Sequence, residues 1–238
     1  MLELRDVYGG YGEGFVLNGL SLTVEEGQVV GLLGRNGAGK TTTMRAILGL
    51  LPRLAGEIRL RGQSLVGLPP HVIAHKGIAL VPQGRRIFPS LTVTENLLIG
   101  ARPPRPDQRV RWTVEEIYQL FPILKERGKI RGTLLSGGEQ QMLTIARSLM
   151  TQPLVLLCDE PSEGLAPVMV QRVGEILQRL KQAGLSILLA EQNIDLALSV
   201  IDVAYIVEEG RVIWQGSAAE LVGNRELQET YLGVRVEA

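Results

Sequence analysis

Eight residues narrow what this chain can be. Gly34-Arg35-Asn36-Gly37-Ala38-Gly39-Lys40-Thr41 fits the pattern G-x-x-x-x-G-K-[ST]. Ahead of it runs Val29-Val30-Gly31-Leu32-Leu33, an apolar stretch of the kind a parallel sheet covers on both faces. Behind it Met44, Ile47, Leu48 and Leu51 recur at helical spacing, with Pro52 just beyond the expected end. Strand, glycine loop, helix is the order of a phosphate-binding cradle. Glycines let successive N–H groups turn inward around phosphate oxygens, and the helix start adds its partial positive end. In that reading Lys40 brings an ammonium to the β- and γ-phosphates, and the Thr41 hydroxyl ligates Mg²⁺. The competing reading is a glycine-rich turn that only caps a helix; the flanking strand and helix count against it.

The remaining sequence alternates strands and helices. Leu2 to Val7 and Leu20 to Val24 alternate apolar with polar residues and read as half-buried antiparallel strands, as does Glu57 to Arg61. Ile78 to Val81, Leu154 to Cys158 and Ser186 to Ala190 are short buried strands, with a helix over Val170 to Lys181 between the last two. Residues 84–135 turn to helical periodicity, broken by the loop Arg102-Pro103-Pro104-Arg105-Pro106. An amphipathic helix is expected over Glu139 to Gln152. A hairpin follows near the end, Tyr205-Ile206-Val207 against Arg211 to Trp214, and Ser217 and Glu220 have capping-box spacing. The expected fold class is α/β: a mainly parallel sheet, an antiparallel β-subdomain and an inserted helical subdomain at about 84–150 within a single domain, 1–238.

Composition removes several function classes. Lys+Arg and Asp+Glu are 25 each in 238 residues, and aromatics are 4%. A neutral chain with few stacking side chains lacks the footprint of a nucleic-acid binder. One cysteine, Cys158, excludes an internal disulfide framework. No run reaches 18 apolar residues, and the first residues do not form a signal peptide. These features point to a cytosolic chain, or one peripheral to a membrane.

Two further motifs carry chemistry. Leu154-Val155-Leu156-Leu157-Cys158-Asp159-Glu160 is a buried strand that ends in two carboxylates. A parallel strand delivers its last side chains to the edge where the glycine loop also sits. Asp159 then serves Mg²⁺, and Glu160 polarises an attacking water. Leu135-Ser136-Gly137-Gly138-Glu139-Gln140 opens a helix, with Ser136 and Glu139 at capping-box spacing. Two glycines exceed what a cap needs, and suggest close approach of a phosphate.

Here the chain resembles the ATP-binding cassette (ABC) ATPases, whose signature reads L-S-G-G-Q; Glu139 replaces the final glutamine. Lys40 and Ser136 lie 96 residues apart, and Ser136 and Asp159 lie 23 apart, as in that family. The resemblance implies that Tyr11 stacks on adenine and that Gly34 to Thr42 hold the phosphates, Thr42 included. It implies that Gln83 serves nucleotide and metal, and that Asp159 and Glu160 form the acidic pair. Ser136, Gly137, Gly138 and Glu139 then face the ATP of a partner cassette, and Gln192 replaces the family's switch histidine. Ala166 departs too, standing where an aspartate is usual.

Gly84 to Pro89, Leu120-Phe121-Pro122, Gly164-Leu165-Ala166-Pro167, Glu191-Gln192-Asn193 and Tyr231-Leu232-Gly233 narrow the resemblance. They are similar to the second, shorter ATPase subunit of branched-chain amino acid importers. That implies ATP and Mg²⁺ as cofactors and a second cassette, identical or paralogous. It also implies two membrane permeases, a periplasmic solute-binding protein and a place on the cytoplasmic face of the cell membrane. The alternatives are a urea or short-amide importer and, further off, a DNA-repair or translation ATPase.

Weaker features read plainly. His71 and His75 have metal-ligand spacing but no third ligand. Cys158, Trp112 and Trp214 read as packing residues, and Arg102, Arg105, Arg109 and Arg111 as a solvated basic loop.

Overall fold

The computed structural model describes residues 1–105 and 110–233; Pro106 and Arg109 of the basic loop lie outside them. The chain starts with β1 (Leu2–Tyr11), β2 (Gly14–Val24) and β3 (Val29–Leu33), then α1 (Lys40–Ile47), β4 (Arg53–Leu60) and the short β5 (Gln63–Ser64). Next come α2 (Pro70–Lys76), β6 (Ile78–Val81), α3 (Val93–Leu98), α4 (Val114–Leu120), α5 (Pro122–Glu126) and α6 (Gly137–Leu149). The last third holds β7 (Val155–Asp159), α7 (Pro167–Gln182), β8 (Ser186–Glu191), α8 (Ile194–Val200), β9 (Val203–Glu208), β10 (Arg211–Ser217) and α9 (Ala218–Gly223).

Two sheets result. One is antiparallel, in the order β2-β1-β4-β5. The other has the order β10-β9-β3-β8-β7-β6 and is parallel except for the β9–β10 hairpin. The unbroken apolar strands explain its central position, since each must feed a core on both faces. In β3, Val29 and Leu33 enter one hydrophobic cluster while Val30 and Leu32 enter the other. In β7, Leu156 and Cys158 divide from Val155 and Leu157 in the same way. The first cluster packs against α3 to α8; the second is closed by α1, α2 and the antiparallel sheet. Trp112 is buried and Trp214 packs against the first cluster.

Helix ends depart from the periodicity. α1 stops at Ile47 rather than near Leu51, because Gly49 turns left-handed (φ 67°) with the Leu68 carbonyl closing over it. The stretch between 84 and 135 contains three separate helices of five to seven residues, α3, α4 and α5. Thr92 and Thr113 each start one with a capping box, and Pro122 starts the third. Their apolar residues, Val93, Ile117 and Leu124 among them, share one continuous core with β7 and β8.

α6 begins at Gly137 and ends at Leu149, short of Gln152, which turns left-handed (φ 57°). There its buried carboxamide clamps a distant backbone. Gln152 Oε1 accepts from the Trp112 N–H (3.0 Å) and Nε2 donates to the Trp112 carbonyl (2.8 Å). Losing that clamp orphans a buried donor and a buried acceptor, each worth ~1–3 kcal/mol when unsatisfied. Gln152→Ala is therefore expected to destabilise the fold by about 2–4 kcal/mol. Urea denaturation checks this, and a loss under about 0.5 kcal/mol contradicts the clamp.

Candidate active site

Parallel pairing brings three strand ends level. Leu33 pairs with Glu191, and Asp159 pairs with Ala190. From these ends the chain enters the glycine loop, Glu160 and Gln192 respectively.

The loop glycines are needed for different reasons. A Cβ at Gly34 (φ 154°) would lie 2.4 Å from the Val207 carbonyl oxygen, and Gly39 (φ 112°) is crowded by Leu17 and Gly210. Gly37 (φ 83°) faces open space, with Arg35 and Asn36 exposed beside it. The Ala38 carbonyl accepts from the Gly210 N–H (2.9 Å), so the β9–β10 turn props the loop. α1 then starts with no side-chain cap and no acidic residue in its first turn. By contrast α3, α4, α6 and α9 each start with a full capping box. Uncapped N–H groups above a glycine cradle fit a polyphosphate.

Five of the expected residues meet there. Lys40 is buried; its Nζ donates to the carbonyls of Gly34 (2.8 Å) and Arg35 (3.2 Å) and stands 3.2 Å from Glu160 Oε1. Thr41 Oγ1 donates to Asp159 Oδ1 (3.0 Å), and Gln83 Nε2 donates to Glu160 Oε2 (3.4 Å). Thr42 is buried in the same helical turn. Hydroxyl, carboxylate and amide oxygens suit Mg²⁺, which completes its shell with phosphate oxygens and water. Among the described residues no group of three or more His, Cys, Asp or Glu could hold a metal by itself. The His71–His75 pair is internally bonded, His75 Nδ1 lying 2.6 Å from the His71 carbonyl.

Burial raises the Asp159 pKa; the Thr41 hydrogen bond opposes this, Glu160 reinforces it, and Lys40 and Arg45 oppose it. Burial likewise pushes the Cys158 thiol far up, so it is a protonated core residue. Glu160 sits in left-handed backbone (φ 47°), anchored by its N–H to the Ala190 carbonyl (2.9 Å).

Tyr11 ends β1, 41% exposed, and its hydroxyl accepts from Arg45 Nη1 (2.8 Å) on α1, which ties the exposed ring to the loop helix. Gln192 is exposed and lines a pocket of about 290 Å³ with Glu160. Ser136 and Glu139 form the expected capping box at the start of α6. The glycines between have intramolecular neighbours, which bears on the phosphate argument: a Cβ at Gly137 would meet the Arg85 guanidinium, and one at Gly138 the Met169 side chain. The sequence reading gave no role to Glu191. Its buried carboxylate accepts from the N–H groups of Ser162 (3.1 Å), Gln192 (2.9 Å) and Asn193 (2.9 Å). A carboxylate closing a buried apolar strand was the available signal.

The family model described as ABC transporter matches residues 17–163. The chain belongs to the ABC transporter family. The cassette is 43% identical over 98% of its length to all of the high-affinity branched-chain amino acid transport ATP-binding protein BraG of Pseudomonas aeruginosa. It is 37% identical to the lipopolysaccharide export system ATP-binding protein LptB of Escherichia coli, over 92% of this chain and 91% of that one. A nucleotide-free ATP-binding cassette from an ABC transporter superposes with a TM-score of 0.83 over 99% of both chains, at 26% identity. The protein is thus an ATP-hydrolysing transporter subunit with the ABC ATPase fold.

Two departures from the family pattern have local explanations. Glu139, in place of glutamine, accepts from the Ser136 N–H (2.7 Å) and pairs with Arg127 Nε (3.1 Å). Ala166 caps α7 without a side-chain bond, leaving Pro167 to set the first turn.

A raised carboxyl pKa has a definite sign. The folded state holds that proton more tightly than the unfolded chain does. The stability associated with that proton is fully present below the unfolded chain's pKa and is lost as pH climbs from there through the raised folded value. Asp159→Asn should raise the melting midpoint of the nucleotide-free cassette at pH 7–8 by about 2 °C or more. The gain should shrink toward pH 4, as melting curves across pH would record.

Proposed function

We propose that this cassette powers import of branched-chain amino acids, with Mg²⁺-ATP as its fuel. The carrying observation is the 43% identity to BraG over 98% of this chain and all of that one. Lys40 binds the β- and γ-phosphates, exchanging its contacts with the Gly34 and Arg35 carbonyls for phosphate oxygens; Gly34, Arg35, Asn36, Gly37, Ala38 and Gly39 supply the cradle. Thr41, Asp159 and Gln83 hold Mg²⁺, which neutralises charge on the phosphates. Tyr11 lies against the adenine. Glu160 polarises the attacking water, and its contacts with Lys40 and Gln83 support that placement. Gln192 donates an amide hydrogen to the γ-phosphate, a role its share of the pocket with Glu160 supports.

The site is completed in trans. Ser136, Gly137, Gly138 and Glu139 cover the nucleotide of a second cassette, identical or paralogous. Two membrane permeases and a periplasmic solute-binding protein complete the system, with this cassette at the cytoplasmic face of the membrane. No helix among the described residues is long and apolar enough to cross a membrane. Permease contact falls on a groove of about 540 Å³ lined by Leu50, Pro82, Phe88, Ile99, Arg102 and Arg147. Its half-exposed Leu50, Phe88 and Ile99 and its two arginines favour an amphipathic helix bearing a carboxylate.

Glu160→Gln is expected to bind Mg²⁺-ATP near-normally while hydrolysis falls at least about 10²-fold, and to accumulate an ATP-bound dimer. Hydrolysis within threefold of wild type excludes Glu160 as the base. For the cargo, the cassette reconstituted with its permeases and binding protein should show ATPase stimulated by leucine, isoleucine or valine. Stimulation by urea or short amides instead overturns the branched-chain reading while leaving the ATPase intact.

A further inference from the structure

Three consecutive residues beyond Gln83 are left-handed: Gly84 (φ 78°), Arg85 (67°) and Arg86 (46°). Glycine adopts this freely; two successive arginines do so only where surrounding contacts impose it. The contacts come from α6. The Thr144 hydroxyl donates to the Arg85 carbonyl, and Arg147 Nη2 donates to the Arg86 carbonyl (2.7 Å). So held, the Arg85 side chain runs to two other segments. Its Nη2 donates to the Gly164 carbonyl (3.3 Å), in the loop that follows Glu160. Its guanidinium also covers Gly137, where a Cβ would come within 2.9–3.0 Å of it.

We propose that Arg85 is a positioning residue that joins three segments: the one carrying Gln83, the loop leaving Glu160, and the start of the signature helix α6. The physical reason is the path of its contacts. Gln83 reaches Glu160 directly but weakly, at 3.4 Å. Arg85, two residues on, fixes the far side of the Glu160 loop and spans the first glycine of α6. A shift of Ser136–Gly138 against a partner's nucleotide is thereby transmitted to Glu160, and the reverse. A guanidinium suits the task because it lies flat on a glycine while donating sideways; lysine can donate but cannot cover. The inference rests on the proposed role of Glu160 for its readout.

The variants are Arg85→Ala, Arg85→Lys and Arg85→Gly. The measurements are Mg²⁺-ATP Kd of the isolated subunit, kcat of the assembled transporter, and the melting midpoint. Arg85→Ala should leave Kd within about twofold and lower kcat by about tenfold or more; Arg85→Lys should recover part of that loss. Arg85→Gly removes the same guanidinium while freeing the left-handed backbone. It should therefore melt above Arg85→Ala yet share its low kcat. A kcat that follows the melting midpoint across the three variants, or an alanine variant within twofold of wild-type kcat, overturns the proposal. Retention of activity by Glu160→Gln would instead strike the reading of Glu160 and leave the Arg85 kcat comparison standing.

Discussion

The buried carboxylate of Glu191 is the fastening on which the active edge depends. Two neighbouring parallel strands, β7 and β8, end side by side, and both chains must then turn away without leaving buried N–H groups unpaired. Glu191 answers this with one side chain, one oxygen taking the Ser162 N–H and the other those of Gln192 and Asn193. Charge-assisted bonds contribute about 1.5–3 kcal/mol each, enough to offset the several kcal/mol of burying the charge. The loop carrying Glu160 and the turn carrying Gln192 are thereby held to one point. Asn193 then caps α8 through its own side chain, accepting from the Leu196 N–H (3.0 Å).

Around that fastening the strain is local and opposed by specific contacts. Glu160 is left-handed, a conformation that costs a residue with a Cβ roughly 1–2 kcal/mol. Its N–H bond to Ala190 and its contacts with Lys40 and Gln83 hold it there. The same arrangement presses Asp159 into a poorly solvated position. Its raised pKa comes first from that burial; the adjacent Glu160 carboxylate adds to it, while the Thr41 hydroxyl and the Lys40 ammonium oppose it. A bound nucleotide rearranges the charges of such a cluster, so nucleotide binding and stability are coupled through it.

What could be read from the sequence was what local rules encode. The apolar runs at 29–33 and 155–159 announce buried strands because both faces need filling, and Ser136 and Ser217 announce their helices because a cap acts within three residues. The left-handed backbone of Arg85, Gln152 and Glu160 was not legible. No residue type there demands it; it is imposed by partners such as Thr144, Trp112 and Ala190, 30 to 59 residues away. The helix ends near Ile47 and Leu149 were missed for the related reason that periodicity continues past the turn that stops them.

The glycine pair 137–138 shows how a motif can satisfy two demands at once. Within this chain, a Cβ at Gly137 would displace Arg85 and one at Gly138 would displace Met169, so packing alone excludes larger residues. Packing does not explain why both neighbours are long and flexible rather than a smaller side chain with room for alanine. Arg85 and Met169 lie over the start of α6 and come from the segments after Gln83 and after Glu160, so the helix start is gripped from both. Under the proposed role of the signature toward a partner's nucleotide, that grip would put the trans contact and the Glu160 carboxylate on one mechanical unit. The glycines matter because their missing side chains admit the grip.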